Sequence, residues 1–125
     1  MNSPFAENLE KSLGISRTKL SELDKCSPAE IERALRTLVL HACDAQHVGN
    51  ILAAQDAIAQ IPKGLLQNRL LEVAEKTLDL SDEWHFRRLV ELTQEVMPNL
   101  TLRLLDLGLR SKSAEVREAA KDLQD

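Results

Sequence analysis

Residues 81–123 limit the possible folds more than any other part of the chain. They contain three blocks of apolar residues at helical spacing, separated by Met97-Pro98-Asn99 and by Ser111-Lys112-Ser113. Proline lacks a backbone N–H and disfavours helical geometry in the preceding residue, so the first separator should end a helix. Serine is a preferred N-cap residue, so the second separator should start one. The segment therefore predicts three consecutive helices joined by short turns.

Composition extends this prediction to the whole chain. Of the 125 residues, 43% are hydrophobic but only 2% are aromatic. Sheets are enriched in aromatic and β-branched residues, and hairpins need tight turns that four glycines supply poorly. We therefore predict an all-α fold, built as stacked antiparallel helix pairs in a short α-solenoid or as an irregular helical bundle. The length suits a single domain over residues 1–125, with two short helices in 1–26 and a helical core in 27–125. The first short helix is predicted to end at Gly14, and the second covers residues 15–25 with Leu20 and Leu23 as its apolar stripe.

Charge and hydropathy limit the partners and the cellular compartment that we expect for the protein. The net charge is −4, and acidic and basic residues are spread along the chain, so no basic face favours nucleic acid as a partner. No apolar run approaches the length of about 18 residues that a membrane span needs. The first residues lack the apolar run of a signal peptide, and two cysteines are too few for a disulfide scaffold. These features predict a cytoplasmic protein without membrane contact.

The clearest helix start is Ser27-Pro28-Ala29-Glu30. Ser27 and Glu30 have the spacing of a capping box, and proline is favoured in the first helical position. A long helix should therefore follow, ending near residues 43–46. Its apolar stripe is predicted to be buried and consists of Ile31, Ala34, Leu35, Leu38 and Ala42.

Further helices are predicted at residues 47–61, 65–79, 84–97, 100–109 and 114–124. In the first of these, the apolar side is assigned to Val48, Ile51, Leu52, Ile58 and Ala59. The fourth has leucine at almost every second position, which fits a strand nearly as well as a helix. Because Thr101 is its single β-branched residue, we predict a helix that is largely buried.

The last of these helices resembles a known repeat family. Residues 29–38 and 114–123 share the pattern Ala-Glu-(Ile/Val) followed by alanine and leucine. A serine precedes each of the two segments. The sequence Val116-Arg117, followed by Ala119, Ala120 and Leu123, resembles the second helix of HEAT-type repeats. This resemblance implies helices stacked into a short solenoid whose curved face binds a partner, with Arg117 tying neighbouring repeats together.

The N-terminal region resembles a second family. Leu9, Leu13, Gly14, Leu20 and Leu23 follow the pattern of a bacterial helix-turn-helix, in which the glycine forms the turn. The resemblance implies a DNA-binding regulator whose second helix presents Arg17, Thr18 and Lys19 to the major groove. Glu10 stands where that family brings its two helices into contact, and burying a carboxylate there is costly. We therefore keep DNA binding as the alternative to two short packing helices.

The strongest local candidate for a binding surface is Trp84-His85-Phe86-Arg87-Arg88. Trp and Arg are the residues most enriched at binding hot spots. Phe86 is assigned to the core, which leaves Trp84, Arg87, Arg88 and Glu91 as candidate partner-binding residues. Positions 84, 88 and 91 share one face of a helix. This pattern favours a non-enzymatic protein-interaction or scaffold module, with a protein of unknown identity as the partner.

Catalytic and metal chemistry have little support in the sequence. The chain has no glycine-rich phosphate loop, nucleophile elbow or His-Glu-x-x-His motif, so we predict neither an enzyme nor a bound cofactor. His41, Cys43 and His47 gather potential zinc ligands within seven residues. Their spacing matches no recognised zinc finger, so structural roles are favoured over a metal site.

Overall fold

The computed structural model describes residues 17–43 and 48–124. Residues 1–16, 44–47 and 125 lie outside this description, as do the side chains of residues 17–19, 48 and 50. The predicted first helix, which would end at Gly14, therefore falls outside the described residues.

Six α-helices make up most of the described chain. They are α1 (Pro28–Cys43), α2 (Val48–Ala59), α3 (Lys63–Thr77), α4 (Glu83–Val96), α5 (Thr101–Leu109) and α6 (Ala114–Leu123). A 3-10 segment, Arg17–Lys25, precedes α1, and a 3-10 turn, Pro98–Leu100, joins α4 to α5. The described residues contain no strand, so the all-α prediction is confirmed. None of their helices is long and apolar enough to cross a membrane.

The helix starts follow the capping residues in the sequence. The Ser27 hydroxyl oxygen accepts from the Glu30 amide at 3.2 Å, and Glu30 accepts in return from the Ser27 amide at 3.3 Å. The predicted capping box is therefore confirmed. Asp82 caps α4, and Ser113 caps α6 by accepting from the Val116 amide at 3.3 Å. Each cap satisfies an amide that the helix itself leaves without a partner.

The capping box should make stability depend on acid pH. Hydrogen bonds from the Ser27 hydroxyl, and then from its backbone amide, hold the pKa of Glu30 below its ordinary value. The ionised carboxylate therefore stabilises the fold above the unfolded-state pKa, about 4.3, and this contribution disappears as pH falls through the lower folded-state pKa. We expect Glu30→Gln to lower the melting temperature more at pH 7 than at pH 3. Thermal melts followed by circular dichroism test this, and an equal shift at both pH values would contradict it.

Helices α1 and α4 form the centre of the fold. Helix α1 packs against α2, α3 and α4, while α4 packs also against α2, α5 and α6. Helices two apart along the chain touch in the pairs α1/α3, α2/α4 and α4/α6, as in stacked helix pairs, whereas the α1/α4 contact is typical of a bundle. The core between them is aliphatic, and it buries the predicted α1 stripe completely. Among the described residues, Phe86 is the one aromatic side chain in this core.

Polar contacts fix the helix ends against one another. The Lys63 ammonium donates to the Val96 carbonyl oxygen at 2.7 Å, where the C-terminal end of α4 attracts positive charge. Arg117 donates to the Ser111 carbonyl oxygen at 2.7 Å. This bond joins α6 to the turn before it, within one helix pair. The described contacts of Arg117 thus differ from the link between repeats that the HEAT-type resemblance implies.

Two helices depart in part from their predicted burial: α2 buries Ile51 and Ile58 of its predicted apolar side but not Leu52 or Ala59, and α5 is less buried than predicted. Leu52 is 55% exposed and Ala59 is also exposed, while Ala54 and Ala57 lie in the core beside Ile58. In α5, Leu102 is 79% exposed and Leu107 also faces solvent, so this helix is buried on one side only. Residues two apart on a helix point in nearly opposite directions, so alternating leucines cannot all face one core.

The 3-10 segment also differs from the short helix predicted for residues 15–25. Its backbone leaves helical geometry at Glu22. Leu20 and Leu23, the predicted apolar stripe, are nevertheless fully buried. Short 3-10 pieces commonly serve as connectors, because their hydrogen bonds are poorer than those of an α-helix. Two leucines anchoring a mostly polar segment are consistent with that role.

A buried pair of hydroxyl groups joins α4 to the start of α5. Thr93 Oγ1 donates to the Val90 carbonyl oxygen at 2.9 Å and lies 2.9 Å from Thr101 Oγ1. Since a hydroxyl has one proton, the Thr101 hydroxyl must donate to Thr93. The two bonds satisfy both side chains inside an otherwise apolar core.

This arrangement predicts an asymmetric effect of two matched substitutions. Thr93→Val removes the acceptor of the buried Thr101 hydroxyl and should cost about 1–2 kcal/mol. Thr101→Val should cost less, because Thr93 keeps its bond to the Val90 carbonyl oxygen. Urea unfolding of both variants measures the difference. A larger loss for Thr101→Val would show that the proton arrangement is wrong.

Candidate partner-binding surface

Trp84 is the only tryptophan in the chain and lies in the first turn of α4. The Asp82 carboxylate accepts from the Trp84 amide at 2.8 Å and from the His85 amide at 3.2 Å, which fixes the backbone of this turn. The Trp84 side chain is 67% exposed, whereas Phe86, two positions later, is 1% exposed. The helix therefore directs one large aromatic side chain into the core and the other towards solvent.

Arg88 and Glu91 lie on the same face of α4 as Trp84. They follow it by four and seven positions, a spacing that places side chains one above the other on a helix. Arg88 Nη1 lies 3.1 Å from Glu91 Oε2, and both side chains are partly exposed. The structure thus brings together three of the four residues that the sequence proposed for partner binding.

Arg87, the fourth of these residues, has different contacts. Its Nε donates to the Glu83 carboxylate at 2.8 Å, and its Nη2 lies 3.6 Å from the Asp122 carboxylate on α6. The side chain therefore spans the contact between α4 and α6. We assign it to the scaffold and leave it out of the binding surface.

A groove between α2 and α4 adjoins Arg88 and Glu91. Its volume is about 340 Å³, and its lining consists of Ile51, Leu52, Gln55, Arg88, Glu91, Gln94 and Glu95. Ile51 is buried, while Leu52 exposes more than half of its side chain. The α2 side of this groove was missed in the sequence, because Leu52 fitted an apolar stripe assigned to the core. The sequence feature that could have indicated this groove is a large apolar residue, Leu52, at the edge of an alanine-rich helix.

The groove has an excess of negative charge. Its described lining residues include one cation, Arg88, and two carboxylates, Glu91 and Glu95. The ion pair with Glu91 occupies Arg88, and Glu95 forms no ion pair with any residue that the structure describes. Among the described residues, one carboxylate therefore remains without a counter-charge beside an apolar wall.

A second hollow lies where α4, α5 and α6 meet. Its volume is about 260 Å³, and its lining is mainly apolar, with Leu80, Phe86, Leu104, Leu107, Gly108 and Val116 and the two serines Ser81 and Ser111. Phe86 forms part of its inner wall and Leu107 part of its outer edge. None of these described lining residues is charged, so none of them would orient a charged ligand.

The alternative DNA-binding residues fall at the edge of the described chain. The side chains of Arg17, Thr18 and Lys19 lie outside the description, so their orientation towards DNA stays a prediction. Their backbone belongs to the 3-10 segment, whereas a helix-turn-helix presents an α-helix to the major groove. Within residues 17–43 and 48–124, no helix-turn-helix is identified.

The candidate metal ligands have other neighbours where they are described. His41 Nδ1 lies 2.8 Å from the Thr37 carbonyl oxygen, which can only accept, so Nδ1 carries a proton there. Cys43 is buried in the core at the end of α1, and His47 lies outside the described residues. Over the part of the chain that is described, no three potential ligands cluster around a common point.

Comparison with known proteins adds no relative to this picture: no family model, curated protein or solved structure matches the chain. The functional proposal therefore rests on the chemistry of the surface.

Proposed function

We propose that this chain is a non-enzymatic interaction module that binds a protein partner through one surface. The surface consists of Trp84, Arg88 and Glu91 on α4 together with Leu52 on α2, and we name it the α4 surface. The observation that carries the proposal is the exposure of the single tryptophan, 67%, on a capped helix whose other aromatic residue is buried.

The chemistry of the α4 surface supports binding. Tryptophan and arginine dominate the energetics of many protein interfaces, since each combines a large contact area with a polar group. An indole left in water loses the stabilisation that burial gives, and a partner that covers it recovers that stabilisation. Leu52 extends the apolar area across to α2, and the Arg88–Glu91 pair supplies polar groups at its edge.

Three polar contacts hold helix α4 beneath the α4 surface. Asp82 fixes the first turn of α4, Lys63 binds its last carbonyl, and Arg87 links its second turn to α6. Binding costs less conformational entropy when the contact residues are already held in place. These contacts therefore lower the entropy cost of ordering the α4 backbone when a partner binds.

A quantitative capture experiment with matched variants tests the proposal. Trp84→Ser and Leu102→Ser each remove one exposed apolar side chain, from α4 and from α5 respectively. We expect a partner captured by the wild-type protein to bind Leu102→Ser equally well and Trp84→Ser at least tenfold more weakly, a loss of about 1.4 kcal/mol or more. Both variants should retain the wild-type melting curve, because neither side chain is in the core.

Two results would reject the α4 surface as the binding site. One is capture of the same proteins, in the same amounts, by Trp84→Ser. The other is loss of the partner by Leu102→Ser with retention by Trp84→Ser, which would place binding on α5.

A further inference from the structure

We infer that the partner segment seated between α2 and α4 carries a basic side chain next to an apolar one. The inference rests on the proposed function, because it names the chemistry of the partner that the α4 surface receives. The groove between these helices has Arg88, Glu91 and Glu95 on its α4 side.

The apolar requirement comes from α2. Ile51 forms a buried part of the groove wall, and Leu52 stands exposed beside it. An aliphatic or aromatic side chain placed here removes apolar surface of both molecules from water. A wholly polar segment would leave Leu52 exposed and gain nothing from this contact.

The basic requirement comes from the charges that surround the groove. Helix α2 contains no basic residue, and its one charged residue is the exposed Asp56. On α4, Arg88 is paired with Glu91 at 3.1 Å. Lys63, near the C-terminal end of α4, donates to the Val96 carbonyl at 2.7 Å. Neither of these two cations pairs with Glu95.

Glu91 and Glu95 also lie four positions apart on one helix. Like charges at this spacing repel each other and destabilise the helix. A lysine or arginine of the partner, placed between the two carboxylates, relieves that repulsion as it forms its own ion pairs. A cationic partner should therefore bind this groove more tightly than a neutral partner.

Partners of other chemistry fit the groove less well. An acidic segment would meet two carboxylates, and it could reach Arg88 only by competing with Glu91. A purely apolar segment would cover Glu95 and remove its water without supplying a counter-charge, which is unfavourable.

Peptide selection against the intact protein tests the inference directly. The probe is a display library of random 16-residue peptides, selected on the wild-type chain and sequenced. We expect the enriched peptides to carry an excess of Lys and Arg over Asp and Glu, together with at least one large apolar residue. Their affinity should fall at least tenfold for Glu95→Lys and for Leu52→Ser. Glu118→Lys makes the same charge change at an exposed position of α6 and should leave affinity unchanged.

The outcomes separate this inference from the proposed function. Peptides that lose affinity for Trp84→Ser and Leu52→Ser, but show no basic excess and bind Glu95→Lys as tightly as the wild type, would overturn the inference alone. A selection that yields no peptide dependent on Trp84 or Leu52 would overturn both. Equal losses for Glu95→Lys and Glu118→Lys would reduce the basic preference to a general effect of net charge, and would also overturn the inference.

Discussion

Replacing Phe86 with alanine should lower the free energy of unfolding by about 4 kcal/mol, the scale measured for large buried aromatic residues. Phe86 is the largest fully buried side chain in the described chain and its only buried aromatic one. It lies where α4, α5 and α6 meet, and it forms a wall of the hollow at that junction. Its loss would enlarge this hollow and remove contacts of three helices together.

Urea unfolding followed by circular dichroism measures this loss. Fluorescence is a poor choice, because Trp84 is largely exposed before unfolding begins. Leu102→Ala is the matched control, since it also removes a large apolar side chain, and it should change stability by no more than about 0.5 kcal/mol. A loss below about 1 kcal/mol for Phe86→Ala would mean that Phe86 does not hold the three helices together.

Gly108→Ala should cause the second largest loss of stability, at about 2 kcal/mol. A Cβ atom at Gly108 would lie 2.8 Å from Phe86 Cε1, still closer to Phe86 Cζ, and 2.9 Å from Ala120 Cβ. The overlap would force α5 away from α4 and α6. The cost of this overlap exceeds the stabilisation of about 1 kcal/mol that alanine gives over glycine inside a helix.

Gly64→Ala is the control for this prediction. A Cβ atom at Gly64 meets no other atom within 4 Å, so alanine there should be neutral or slightly stabilising. Phe86→Leu provides a second check, because a smaller side chain at position 86 makes room at position 108. We expect Gly108→Ala to cost less in the Phe86→Leu background than in the wild type. An equal cost in both backgrounds would contradict the proposed overlap.

Local chemistry made much of the fold predictable. The Ser27 and Glu30 pair fixed the start of α1, because a capping box depends only on residues within one turn. Pro98 likewise separates α4 from α5, as expected from its missing amide. Such signals act over a few residues, so one sequence contains all the information that they need.

The buried faces were harder to predict, because they depend on which neighbours a helix meets. In the alanine-rich α2, Ala54 and Ala57 face the core while Leu52 faces out. Small residues let another helix approach closely. The side of α2 that is buried therefore depends on close packing and not on hydrophobicity alone. The same reason explains Gly108, whose role depends on Phe86 and Ala120 in two other helices.

The binding surface was predictable only in part. Helical spacing alone placed Trp84, Arg88 and Glu91 on one face. The groove was not predictable, because it requires Leu52 on α2 to lie beside residues about 40 positions later. Arg87 lies off the face shared by Trp84, Arg88 and Glu91, but its role in the scaffold depends on Asp122 of α6, which the local sequence does not reveal.

The emission of the single tryptophan tests the central claim most directly. A partner or selected peptide that lacks tryptophan is titrated into the protein, while the emission of Trp84 and its quenching by acrylamide are recorded. The proposed function predicts that emission shifts to shorter wavelength and that quenching decreases, both saturating with the affinity found by calorimetry. Calorimetric binding with unchanged emission and unchanged quenching would contradict the claim that Trp84 lies in the interface.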